Sequence, residues 1–124
     1  MGDKFQVIAE FIKTRDYKLL EERLHDDFLM IREEGLVTKD EFVSYLSEDL
    51  EGDNAIILLD YKCLLENEDS LIWQDLFDVP ETGQRIISTS YEAYKEGMVW
   101  RSMLNKKIVS KDVQNYKRSK NQYH

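Results

Sequence analysis

The feature that most constrains this fold is a change of hydrophobic period at Gly52. Before it, apolar residues recur with the 3.6-residue period of a helix. After it, they alternate with the period of two of a strand. Phe5, Ile8, Ala9 and Ile12 fall at i, i+3, i+4 and i+7, one buried helical face, which Val7 and Phe11 widen. Arg15-Asp16 interrupts that pattern, and Asp16 can cap a second helix through its side-chain oxygen, with Tyr17, Leu20 and Leu24 as its stripe. Residues 28–32 read as a short extended piece ending in the Glu33-Glu34-Gly35 turn. The third helix carries the clearest local signal. Thr38 and Glu41 form a capping box, Val37 and Phe42 the accompanying hydrophobic staple, and Phe42, Tyr45, Leu46 and Leu50 the buried stripe. Gly52 permits the turn that ends it.

Beyond Gly52 four strands are expected, over residues 55–66, 70–79, 85–94 and 98–108. They are separated by Asn67-Glu68-Asp69, by Pro80-Glu81-Thr82-Gly83 and by Lys95-Glu96-Gly97, all turn-forming runs. Three helical segments followed by hairpin-linked strands predict an α+β domain with a curved antiparallel sheet. Neither an internal repeat nor a linker divides residues 1–108, so a single domain is expected there. Residues 109–124 are expected as a basic tail, either a disordered end or a short extra strand.

Charge and composition narrow the partners. Residues 1–108 carry 13 Lys and Arg against 24 Asp and Glu, a net −11, whereas 109–124 carry four against one, a net +3. So acidic a body repels nucleic-acid phosphates, leaving only the tail to attract them. The 42% of apolar residues, with one Pro and five Gly, suit a chain that folds around one core. The longest apolar run, residues 55–59, is far short of the ~20 residues of a membrane span. The opening "MGDKFQVIAEF" lacks the layout of a secretory signal, and Gln6 replaces the Ser or Thr of an acylation signal. One cysteine, Cys63, cannot form an internal disulfide, so a cytoplasmic location is expected.

The stretch "LLEERLHDDFLMIREEGLVTKDEFVSYL" (19–46), with Leu-His-x-Asp-Phe, a short strand, a Gly turn and a capped helix, resembles the signature of nuclear-transport-factor-2-like, or SnoaL-like, domains. "TSYEAYKEGMVWRSMLNKK" (89–107) resembles the last hairpin of the same family, where an acidic residue and Gly lead into a Trp-containing strand. The two stretches cover over a third of the chain, and the order of elements extends the likeness to residues 1–108. The resemblance implies a cystatin-like cone, with the three helices packed in the concave face of the sheet. Family members use the cone to isomerise, dehydrate or cyclise small molecules, to bind them, or to dimerise through the sheet. The chain also departs from the pattern. Asn105-Lys106 stands where related domains often have His-Gln, Arg32 stands where steroid-isomerase-like members end the short strand in a carboxylate base, and Phe11 stands at their first-helix Tyr.

Two sets of residues are candidates for chemistry. His25-Asp26-Asp27 has the right groups for a metal or a proton relay, but the only other histidine is His124, and a metal needs three or four converging ligands. The cluster is read as structural, with His25 paired to Glu21 on the second helix, and no metal or cofactor is expected. Asp75 is the better candidate. In "SLIWQDLFDV" it shares a face with Leu71, Trp73, Phe77 and Val79, and burial there would raise its pKa toward that of a general base or acid near neutrality. The competing expectation is an Asp75 turned to solvent or paired with Arg85 or Arg101. Tyr61, Trp73, Phe77, Tyr91 and Trp100 are expected on the inner sheet face as core or pocket lining. Cys63 is expected as inert core.

These features predict a domain that binds a small apolar or aromatic ligand, with weak lyase or isomerase activity at Asp75 and a homodimer through the sheet. The alternative is an acidic interaction module, such as an immunity protein that masks a basic toxin, steered to that partner by its charge.

Overall fold

The computed structural model describes residues 3–52 and 55–110. Helix α1 (Asp3–Thr14) buries Ile8 and Phe11, and α2 (Tyr17–Arg23) buries Leu20. Arg15, in the left-handed region at φ 57°, makes the turn between them, and Asp16 caps α2 by accepting a hydrogen bond from the Lys18 N–H. The second helix stops one residue before Leu24, which opens strand β1 (Leu24–Arg32). The extended segment is therefore longer than the sequence pattern suggested, and His25 lies on a strand rather than on a helix. A turn leads to β2 (Gly35–Thr38) and then to α3 (Lys39–Glu51), whose capping box is complete in both directions between Thr38 and Glu41. Hydrogen bonds from Thr38 also hold the Glu41 carboxyl below its ordinary pKa. Phe42 packs on the cluster of Leu24, Phe28, Met30, Val37 and Val99, so the predicted staple is formed.

The second half is the expected meander: β3 (Ile57–Glu66), β4 (Ser70–Val79), β5 (Gln84–Lys95) and β6 (Met98–Ser110). Sheet order is β2-β1-β6-β5-β4-β3, and the meander pairs antiparallel throughout. The structure adds β1 and β2 to its β6 edge, with β1 running parallel to β6. That pairing joins chain ends some seventy residues apart, and no local pattern encodes it. The result is an α+β cone, an open mixed sheet with three helices against its concave face. β6 continues through residues 109 and 110, and the rest of the predicted basic tail, 111–124, lies outside the described residues. Among the described residues no helix is long and apolar enough to cross a membrane.

Side-chain facing is set by five register shifts, four in the meander and one between β1 and β6. β4 is regular against β5, so Leu71, Trp73, Asp75, Phe77 and Val79 face one way. In β3 the register shifts between Leu58 and Asp60 and again between Cys63 and Leu65. Leu58, Tyr61, Cys63 and Glu66 therefore oppose Phe77, Asp75, Trp73 and Leu71, while Ile57 and Leu65 face outward. Each β3 bulge adds one residue and exchanges the two faces beyond it. Cys63 ends up exposed on this edge strand rather than in the core.

A candidate active site in the cone

Four inward-facing residues lie in cross-strand register near the middle of the sheet: Tyr61 on β3, Asp75 on β4, Ser88 on β5 and Lys106 on β6. Side chains directly opposite on neighbouring strands are ~5 Å apart at Cβ, so this row is a continuous polar belt. Apolar rows flank it, with Trp73 and Leu104 on one side and Phe77, Ile86 and Ile108 on the other. Helix α3 and β1 close over part of the belt and leave a cavity of about 310 Å³, at the small end of the range for ligand sites. Trp73, Asp75 and Phe77 line it, together with Phe42, Tyr45 and Leu46 of α3. Arg32, Asp49, Ser88, Ser90 and Lys106 supply its remaining polar groups.

Asp75 has the most perturbed carboxyl in this cavity. Its Oδ1 is sealed from solvent and accepts no hydrogen bond. Burial pushes its pKa up from 3.8 to about 6, against smaller opposing contributions from its own backbone N–H and from Lys106. It is neither turned to solvent nor paired with an arginine. Arg85 makes a bidentate pair with Asp78, at 2.7 and 3.0 Å, on the opposite face of the sheet. Arg101 donates to the carbonyl oxygens of Asp27 and Trp100. Two nitrogen donors of the cavity are also buried without an acceptor, Trp73 Nε1 and Arg32 Nε. Desolvation raises the Asp49 carboxyl above its ordinary pKa, while Lys106 pulls it back down.

The other expected pocket residues lie elsewhere. Tyr61 faces inward but packs against Phe5 of α1, with ring centroids 6.2 Å apart, and Phe5 in turn meets Trp73 at 6.3 Å. It thus stands behind the cavity wall. Tyr91 is on the outer face, opposite Ile72 and Met103, and is 42% exposed. Trp100 falls at the bulge where Tyr94 pairs with Val99 and Ala93 with Arg101. Its ring is held between the Arg101 guanidinium at 4.0 Å and the Lys95 ammonium at 5.2 Å, outside the cavity. The expectation that all five aromatics share the inner face is corrected for these two. Arg32 and Asp49 are cavity residues that the sequence pattern did not single out. Arg32 was visible only as the residue ending the short strand, and Asp49 only as one turn of α3 beyond Tyr45.

His25 does not pair with Glu21. Its Nε2 lies 3.0 Å from Glu96 Oε1, and its Nδ1 accepts from the Asp27 N–H, so the imidazole ties β1 to the β5–β6 turn. That bond holds the Glu96 carboxyl below its ordinary pKa. Among the described residues no group of His, Cys, Asp and Glu could hold a metal ion. A second polar cluster, Arg23, Glu92 and Tyr94, is buried below α2. Glu92 accepts two hydrogen bonds from Arg23 and one from the Tyr94 hydroxyl. Tyr94 also accepts from Arg23, at 2.7 Å. These bonds satisfy both charges, and the cluster serves to fix α2 on the sheet.

Neither a protein-family model nor a curated protein sequence matches this chain. Solved structures do match it. A protein with a cystatin-like fold from Silicibacter pomeroyi superposes with a TM-score of 0.65 at 12% identity, covering 99% of this chain and 86% of its own. A candidate ketosteroid isomerase from Kribbella flavida has a TM-score of 0.63 at 12% identity, over 82% of this chain and 76% of its own. A candidate polyketide cyclase from Sinorhizobium meliloti has a TM-score of 0.59 at 11% identity, over 81% and 94%. The fold is that of the nuclear-transport-factor-2-like, SnoaL-like cone domains. At these identities the likeness concerns the fold.

Proposed function

We propose that this chain is a cone domain that binds a small, largely apolar molecule, and that Asp75 moves a proton on it. The observation that carries this reading is the Asp75 Oδ1, which is buried on the wall of a largely apolar cavity and accepts no hydrogen bond. A structural carboxylate in such a place is normally paired, because an unpaired buried charge is costly. A carboxyl titrating near 6 is ionised at neutral pH yet basic enough to accept a proton.

The chemistry follows from these groups. The apolar body of the ligand lies on Trp73, Phe77 and Phe42, placing a carbon next to a carbonyl beside Asp75. The carboxylate takes a proton from that carbon, and the electron pair of the C–H bond moves to the carbonyl oxygen. The Trp73 Nε1–H, otherwise without an acceptor, can hydrogen-bond that oxygen. In a β,γ-unsaturated ketone, return of the proton from Asp75 to the γ-carbon, as the carbonyl re-forms and the double bond shifts into conjugation with it, completes an isomerisation and regenerates the carboxylate. The candidate ketosteroid isomerase and polyketide cyclase that share the fold support this class of reaction. The acidic-module alternative has nothing in its favour beyond net charge.

The test is exchange of α-hydrogens of small ketones in D₂O, followed by proton NMR. Exchange is expected to rise through about pH 6 and to vanish in Asp75→Asn. Equal rates for that variant and the parent would exclude Asp75 as the base.

We further place the protein in the cytoplasm, as a homodimer through the outer sheet face. Support for the dimer is the apolar surface there, where Ile31, Tyr91 and Met103 are 45%, 42% and 49% exposed. Contiguous apolar surface of this kind marks an interaction site. Sedimentation should show a dimer that Tyr91→Lys dissociates, and a monomeric parent would refute it.

A further inference from the structure

The cavity holds three buried polar atoms without partners, and their chemistry differs. Asp75 Oδ1 accepts, Trp73 Nε1–H donates as a neutral group, and Arg32 Nε–H donates as part of a cation. Asp75 and Trp73 are two residues apart on the same face of β4, so they serve one end of a ligand. Arg32 ends β1, which lies three strands away in the sheet order. At ~4.8 Å per strand that is roughly 14 Å along the sheet, and less across its concave face. One ligand that meets all three is therefore elongated, with a polar group at each end and an apolar middle.

The charges identify the group at the far end. The acidic and basic residues facing the cavity are Asp75 from β4, Asp49 from α3, Lys106 from β6 and Arg32 from β1. Lys106 lowers the pKa of both Asp49 and Asp75, and Arg32 adds a smaller lowering at Asp49 alone. The Arg32 Nε that lacks a hydrogen-bond acceptor lies 3.8 Å from Glu34 Oε1, a charge contact too long for a hydrogen bond, and the Glu34 side chain is 60% exposed. The Arg32 guanidinium carbon lies 5.4 Å from the centre of the Tyr45 ring, which holds the group in place through a cation–π contact. A guanidinium held by an aromatic ring, with a buried N–H lacking an acceptor, is a preformed site for a carboxylate.

We propose that the ligand is a keto acid of one ring or a comparably short chain. Its carboxylate binds Arg32, and its ketone lies at Trp73 with the α-carbon beside Asp75. This rests on the reading of the cavity as a ligand site and adds the charge and the two-ended shape of what enters it.

The test uses 4-(4-acetylphenyl)butanoate, whose ring separates the ketone from the carboxylate, its methyl ester, and 4-(4-ethylphenyl)butanoate, which lacks the ketone, each titrated into ¹⁵N-labelled protein. The readout is the Trp73 indole N–H signal, with Trp100, outside the cavity, as internal control. The keto acid is expected to shift Trp73 and spare Trp100. The ester should bind at least about tenfold more weakly, as loss of one charge-assisted hydrogen bond requires. The ketone-free acid should bind without the Trp73 shift that a new hydrogen bond produces. Arg32→Gln should make acid and ester equal, and Arg32→Lys should restore part of the preference. An ester binding as tightly as the acid overturns the proposal while leaving the cavity reading in place. So does an acid preference that survives in Arg32→Gln. If none of the three compounds moves the Trp73 signal, the cavity reading itself fails. The comparison of acid and ester on the parent protein needs no variant, so a poorly folding Arg32→Gln would not spare the proposal.

Discussion

Replacing Asp75 by Asn should stabilise the protein at neutral pH and leave its stability unchanged in acid. The side chain keeps its shape and loses the ability to carry a charge. In the fold the Asp75 carboxyl titrates near 6, because burial removes the water that would solvate its charge. In the unfolded chain it titrates near its ordinary 3.8. A folded pKa raised above the unfolded one means that the folded state holds the proton more tightly. The carboxyl's contribution to stability is thus fully present below about pH 4 and lost as pH rises through 6. A difference of about two pH units corresponds to roughly 3 kcal/mol. Asp75→Asn should therefore exceed the parent by about 2–3 kcal/mol at pH 7 to 8, and the gap should close toward pH 4. Urea unfolding of both proteins at pH 4, 5, 6, 7 and 8 measures this, and taking the difference cancels every other titrating group common to the two. A pH-independent gap, or a variant less stable than the parent at pH 8, would refute the reasoning. Stabilisation by removing a charged residue is the expected signature of a group kept for function.

Three further outcomes follow from the same structure. Glu92→Ala should cost about 3–5 kcal/mol in chemical denaturation, because it leaves the buried Arg23 guanidinium without its anion; the double replacement Arg23→Met with Glu92→Leu should recover most of that loss. Thr38→Ala removes the hydroxyl that accepts from the Glu41 N–H and should lower stability by about 1 kcal/mol. Cys63, exposed on the edge strand, should react with a thiol reagent in the native protein at close to the rate of a free thiol, and protection until unfolding would contradict its placement.

How much of this was legible in the sequence depended on how local the encoding is. The capping box of α3 and its staple are set by residues at most five apart, from Val37 to Phe42, and the sequence pattern predicts them in full. The four strands of the meander are legible for the same reason, since alternation and turn residues are short-range signals. Alternation in β4 also placed Trp73, Asp75 and Phe77 together, because that strand is regular against β5. Strict alternation failed where bulges intervene. One extra residue on β6 between Val99 and Arg101, Trp100 itself, sets its ring against Arg101 instead of in the cavity. Two shifts in β3 turn Ile57 and Leu65 outward. Tyr91 faces outward for a simpler reason. It sits three residues before Tyr94 on β5, where the inward row is Ile86, Ser88, Ser90 and Glu92. What joins distant parts of the chain was not legible at all: the parallel pairing of β1 with β6, the His25–Glu96 contact, and the Arg23–Glu92 pair. Arg32 belongs to this group too, since only the closure of β1 over the sheet brings it to the cavity holding Asp75.

The central claim is that Asp75 is a buried carboxyl whose Oδ1 accepts no hydrogen bond and is available to a ligand. Carbon-13 NMR of the side-chain carboxyl in the unliganded protein, followed as a function of pH, tests it most directly. The account predicts a titration midpoint near 6 for the signal that disappears in Asp75→Asn. A midpoint near 4, the value of an exposed aspartate, would contradict it.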